Sequence, residues 1–166
     1  MSAKRHGFTL VEAAICALVV ALMGVAAGSA VAVAGRSREE LRTRAIANAA
    51  AEQILAEVVS KAFDDPQTPD APAGLDVDED KNDRFTFDDI DDYGGLTIVP
   101  IQDPRGNLLA PKAMEAGIDV VALDPATMER SASRTGLALV QVRITLDKRV
   151  IVERTAYRAR TAEGLQ

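Results

Sequence analysis

Carboxylates are the most abundant chemistry-bearing groups in this 166-residue chain, and they are unevenly placed. From Asp64 to Asp103 stand thirteen acids (Asp64, Asp65, Asp70, Asp76, Asp78, Glu79, Asp80, Asp83, Asp88, Asp89, Asp91, Asp92, Asp103) against two bases, Lys81 and Arg84. A hard cation such as calcium takes about six to eight oxygen ligands, so this density raises a calcium site. Asp76, Asp78, Asp80 and Asn82 match the alternating start of an EF-hand loop. Lys81 then occupies the glycine position and Phe87 the position of the bidentate glutamate, so the motif fails. The second cluster, Asp88-Asp89-Ile90-Asp91-Asp92-Tyr93-Gly94-Gly95, reads first as a solvated acidic loop without a cofactor, with calcium as the alternative.

Other catalytic chemistry lacks its parts. His6 is the single histidine and Cys16 the single cysteine, and Cys16 lies inside an apolar run as an inert thiol. Ser131-Ala132-Ser133-Arg134-Thr135 reads as a polar connection. The paired carboxylates fall in a loop with no apolar walls to shift their pKa values. No catalytic residues are assigned, and the chain reads as a non-enzyme. One acid stands apart: Glu12 is the only charge between Phe8 and Gly35.

The element that carries Glu12 is an apolar helix. The 28 residues 8–35 make about 42 Å of helix, more than the ~30 Å hydrocarbon core of a bilayer. A mean hydropathy of +0.02 and a net charge of -6 hide this, because apolar and acidic residues are segregated along the chain. Without residues 1–7 the chain holds 17 basic and 25 acidic residues, a balance of -8 that argues against nucleic acid as a partner of the domain. A secretory signal peptide fits the basic start, and Ala30-Val31-Ala32 and Ala32-Val33-Ala34 fit its A-x-A cleavage site. Its apolar region should run only about 7 to 15 residues. A plain signal anchor tolerates the length but leaves Glu12 unexplained, since an acid in the membrane costs about 2.5 to 3.5 kcal/mol and is usually functional.

Gly7-Phe8-Thr9-Leu10-Val11-Glu12, after a basic leader with Lys4 and Arg5, closely resembles the processing site of type IV pilins and the pseudopilins of type II secretion systems. The resemblance implies that a prepilin peptidase cuts between Gly7 and Phe8 and methylates the new N-terminus. It places Glu12 at the fifth mature position, where the family carries its glutamate. His6 would leave with the leader. It also implies a single-pass inner-membrane protein with an extracytoplasmic C-terminal domain, whose partners are the peptidase, other pilin-like subunits and the assembly platform.

Cutting before Phe8 creates an α-amino group, ordinarily of pKa about 7.7 to 8.0, four residues before Glu12. Opposite charges about 4 Å apart attract by about 4 kcal/mol at an effective dielectric near 20, before desolvation is counted. In the family the pairing operates between neighbouring subunits, which gives Glu12 and Phe8 an assembly role. Gly24 and Gly28 form a GxxxG that would let helices approach closely in a filament core; general enrichment of membrane helices in small residues explains them equally. Charge alone does not orient the span, because Arg36, Arg38, Arg42 and Arg44 follow it while only Lys4 and Arg5 precede it. The family orientation, leader inside and domain outside, is the one expected.

Residues 36–63 continue the helix, with an apolar side of Leu41, Ile46, Ile54, Leu55, Val58 and Val59; Ser37 and Glu40 could instead cap a fresh start. In the family a sheet packs on this second half. Asp64-Asp65-Pro66 ends the helix and opens an acidic loop, residues 64–95. Strands are expected at 96–101, 118–123, 139–146 and 150–157, the last two joined by Asp147-Lys148-Arg149. The fold class is α+β: a leader at 1–7, a transmembrane helix at 8–35, its continuation at 36–63, and a globular domain at 64–166 whose small antiparallel sheet lies against the helix.

Two functional readings follow. One is a structural subunit, a minor pseudopilin or pilin-like protein of a type II secretion or type IV pilus-like machine. The other is a membrane-anchored or secreted binding domain that uses the N-terminal segment only for export.

Overall fold

A computed structural model describes residues 9–66, 80 and 83–160. The protein is α+β: the described residues form one long helix, α1 (Leu10–Val59), a 3-10 turn at Asp91–Tyr93, and four strands, β1 (Thr97–Ile98), β2 (Met114–Ala122), β3 (Leu137–Leu146) and β4 (Arg149–Ala159). The chain forms two compact units, Met1–Thr43 and Arg44–Gln166.

In the first unit α1 is unbroken. Gly24, Gly28 and Gly35 lie within it, and Ser37 is interior to the helix instead of capping a new one. The residues from Leu10 to Arg42 are exposed throughout. Leu10, Val11, Leu18, Val20, Leu22, Met23, Val25 and Val31 have more than half their surface open. A helix apolar on every side has no stripe to lay on a core of its own chain and belongs in an apolar medium. It is long and apolar enough to cross a membrane.

In the second unit the four strands form an antiparallel meander, in the order β1-β2-β3-β4. Alternation decides which face is covered. Ala138, Val140, Val142 and Ile144 of β3, with Met114, Ala116 and Ile118 of β2, are buried with Ala47, Ala50, Ala51, Ile54 and Val58 of α1. Those helix positions recur every three or four residues, which puts them on one face, and the alanines let backbone and sheet come close. Phe87, Ile90 and Tyr93 close the same core, with the Phe87 and Tyr93 rings edge to face at 4.9 Å. Leu55, Val59 and Ile46 border it, whereas Leu41 is exposed.

Boundaries moved for local reasons. The helix closes at Val59 and not near Phe63, because the next residues pair elsewhere: Ala62 N–H donates to Asp88 O and Ile90 N–H to Ala62 O, both at 3.1 Å. β2 starts at Met114, earlier than residue 118, since Met114 and Ala116 extend the inward alternation. β1 shrinks to Thr97–Ile98 just before Pro100, which has no N–H to donate. The β3–β4 turn is two residues, Asp147 and Lys148, with φ of 49° and 64°; Arg149 already belongs to β4. Two consecutive positive φ values are the type I′ geometry that matches strand twist.

Candidate functional site

Among the described residues three polar groups stand out, and each lies within one unit. The first is the start of α1. Gly7 and Phe8 lie outside the described residues. Thr9 is the N-cap: its carbonyl accepts the first helical bond from Ala13 N–H at 3.1 Å. Glu12 N–H donates to Thr9 Oγ1, and Glu12 Oε2 accepts from both Thr9 N–H and Thr9 Oγ1–H, each at 3.2 Å. This is a reciprocal capping box, and it satisfies donors that a helix start otherwise leaves open. The T-x-x-E spacing of Thr9 and Glu12 is the signal for this cap in the sequence. Glu12 Oε1 has no donor among the described residues.

Gly24 and Gly28 sit on the exposed apolar helix. A Cβ built on either would meet nothing within 4 Å. No contact among the described residues therefore requires glycine at these two positions.

The second place is the acidic stretch 88–92. The expectation of a solvated loop fails here, because Asp89 and Asp92 are only 3% and 6% exposed. They lie between Phe87, Ile90 and Tyr93, whose burial draws the intervening carboxylates inward. Each then finds donors. Asp89 Oδ1 accepts from Asp91 N–H at 2.6 Å and Asp92 N–H at 3.2 Å. Asp92 Oδ2 accepts from Asp88 N–H at 3.1 Å and Asp89 N–H at 3.0 Å. Arg134, from the stretch read as a polar connection, is the cation of the cluster. Its Nη2 lies 2.6 Å from Asp91 Oδ2 and 3.5 Å from Asp89 Oδ2, and its Nε lies 3.6 Å from Asp64 Oδ1. Arg160 Nη2 reaches Asp64 Oδ1 at 2.6 Å.

Burial, and then the neighbouring Asp91 carboxylate, push the Asp89 carboxyl up to about 6, with Arg134 and the two backbone donors opposing. Burial also raises Asp91, again against Arg134. Apolar walls thus do act on these acids, contrary to the sequence reading. Asp89 Oδ1 and Asp92 Oδ2 accept from backbone amides, Asp89 and Asp91 pair with the Arg134 guanidinium, and among the described residues no three His, Cys, Asp or Glu side chains are grouped to hold a metal ion. Asp76, Asp78 and Asn82 of the rejected EF-hand match lie outside the described residues.

A further polar group ties α1 to the segment before the sheet. Arg84 Nε donates to Glu57 Oε1 at 3.0 Å, Arg84 Nη2 to Gln102 O at 2.7 Å, and Tyr93 O–H to Glu57 Oε1 at 3.0 Å. Burial, with the Glu57 carboxylate beside it, holds the Tyr93 hydroxyl well above its ordinary range. Arg84, Glu57 and Tyr93 are a largely buried brace with no spacing signal in the sequence, because the three come from distant segments.

Set against family models, curated proteins and solved structures, the chain gives no match. Its site must be read from its own residues.

Proposed function

We propose that this protein is a minor pseudopilin or pilin-like structural subunit of a type II secretion or type IV pilus-like machine. In this reading prepilin peptidase cleaves it between Gly7 and Phe8 and methylates Phe8, and the subunit assembles through its N-terminal helix at the inner membrane. The observation that carries the reading is the sequence Gly7-Phe8-Thr9-Leu10-Val11-Glu12 at the head of an unbroken helix that is exposed from Leu10 to Arg42 and apolar from Ala13 to Gly35. The unfilled Glu12 Oε1 supports it: the capping box uses one carboxylate oxygen, which leaves the other for an ammonium group created by cleavage. The open surface at Gly24 and Gly28 suits close packing of helices from neighbouring subunits.

The second reading, a membrane-anchored or secreted binding domain that uses this segment for export, is favoured by the capping box itself. A local bond gives Glu12 a role without any partner. Mass spectrometry of the mature N-terminus separates the two: N-methyl-Phe8 is the expected result, and an intact Met1 or a start at Gly35 would sink the subunit reading. Paired variants then isolate the assembly role. Both Thr9→Ala and Glu12→Ala weaken the cap, by about 1 kcal/mol, but only Glu12→Ala should block entry into filaments; equal assembly by the two would refute the amine pairing.

A further inference from the structure

The apolar span ends in a run of charge. Arg36, Arg38, Arg42 and Arg44 follow Gly35, with Glu39 and Glu40 among them. The helix is unbroken there, so helical rise sets the height of each arginine above the span. Residues 13–35 carry no charge and number 23 (35 minus 12), about 35 Å of helix against ~30 Å of hydrocarbon. Arg38 stands about 4.5 Å beyond Gly35 and Arg42 about 10 Å, while the headgroup layer adds roughly 5 to 8 Å on each side of a bilayer. Side chains on a helix lean towards its N-terminus, here back towards the span, and a long arginine can reach down while its stem covers apolar surface. Arg38 and Arg42 therefore aim their guanidinium groups into one layer.

The two are four residues apart and share a face. Both are exposed, and among the described residues neither has an ion pair. Two like charges one turn apart repel unless an anion lies between them. We propose that Arg38 and Arg42 form a two-pronged site for the phosphate of an anionic phospholipid headgroup, at the level where the apolar helix leaves the bilayer. The site rests on the reading of the helix as a membrane span. The planar fork of each guanidinium matches phosphate oxygens in pairs. The bilayer is also the one anion source that the apolar span itself holds at this height.

The test uses full-length protein reconstituted into phosphatidylcholine vesicles with and without phosphatidylglycerol. Flotation reads insertion, and native mass spectrometry of the released protein reads retained lipid. Insertion into both vesicle types is expected, with phosphatidylglycerol retained in preference. Arg38→Gln with Arg42→Gln should still float but lose that preference about 25-fold, about fivefold for each arginine. The Arg38→Lys with Arg42→Lys pair, which keeps the charge and loses the fork, should fall between the parent and the double Gln variant, and Arg149→Gln should keep all of it. A parent protein without lipid preference, a double Gln variant that retains phosphatidylglycerol like the parent, or an equal loss in Arg149→Gln would overturn the site and leave the span standing. A parent that fails to float would overturn both.

Discussion

Asp89 is the residue whose surroundings most change what its type suggests. A carboxylate within a run of carboxylates is ordinarily solvated, yet here Ile90 and Tyr93, fully buried, sit on either side of the Asp91-Asp92 pair. Its folded pKa of about 6 exceeds the ordinary 3.8, so the folded state binds the proton more tightly than the unfolded state. Its contribution to stability is complete below about pH 4 and is lost as pH rises through about 6. Asp89→Asn keeps an oxygen that can accept from Asp91 and Asp92 N–H while removing the titration. Thermal melts at pH 4.5 and 7 should show a smaller change in melting temperature for the variant than for the parent. An unchanged pH slope would mean that Asp89 titrates as it does in the unfolded chain. Composition could not reveal this, because what raises the pKa is packing by residues brought in with the 3-10 turn, only partly opposed by Arg134 from 45 residues away.

At the scale of elements, periodicity was most legible where the core is regular. β3 alternates half-buried and buried residues from Leu137 to Thr145, and from Val140 to Thr145 the sequence alternates with it. The helix face of Ala47, Ala50, Ala51, Ile54 and Val58 was harder to see because three of its members are alanine, which marks helix propensity and small volume alike. β4 is an open edge, and Arg154 and Arg158 face its core side. Arg154 Nη2 holds Asn48 Oδ1 at 2.6 Å and Arg158 Nη2 holds Lys61 O at 3.4 Å. Inward charges of this kind discourage a further strand from adding to the edge, a property that no strand signal in the sequence conveys. The hairpin gives the cleanest test. Lys148 holds a left-handed φ of 64°, which disfavours a residue bearing a Cβ. Lys148→Gly should stabilise the second unit by about 0.5 to 1 kcal/mol, the relief of that strain exceeding the added flexibility of the unfolded chain. Urea titration reads it, and a lower midpoint would show that the lysine side chain contributes more than its backbone strain removes.

At the scale of the whole molecule, the two units divide the work of one helix. Every core residue that α1 contributes lies between Ala47 and Val58, and the exposed apolar residues from Leu10 to Val33 all precede Thr43. Removing residues 1–43 therefore strips an apolar surface without opening the core. The remaining helical stretch, 44–59, is 16 residues long, barely past the roughly 12 to 15 residues below which isolated helices are marginal in water. Burial against the sheet is what must hold it, helped by Arg154 on Asn48 and by the Glu57–Arg84 pair. The new start at Arg44 loses the preceding turn, so Ala47 should fray while Ile54 and Val58 stay packed. The fragment 44–166 should fold by itself, melt in one cooperative transition, remain monomeric on gel filtration and fail to float with vesicles. A fragment with helical circular dichroism but no cooperative melt would show that the second unit depends on the first, and one that still floats would place membrane affinity outside the apolar span.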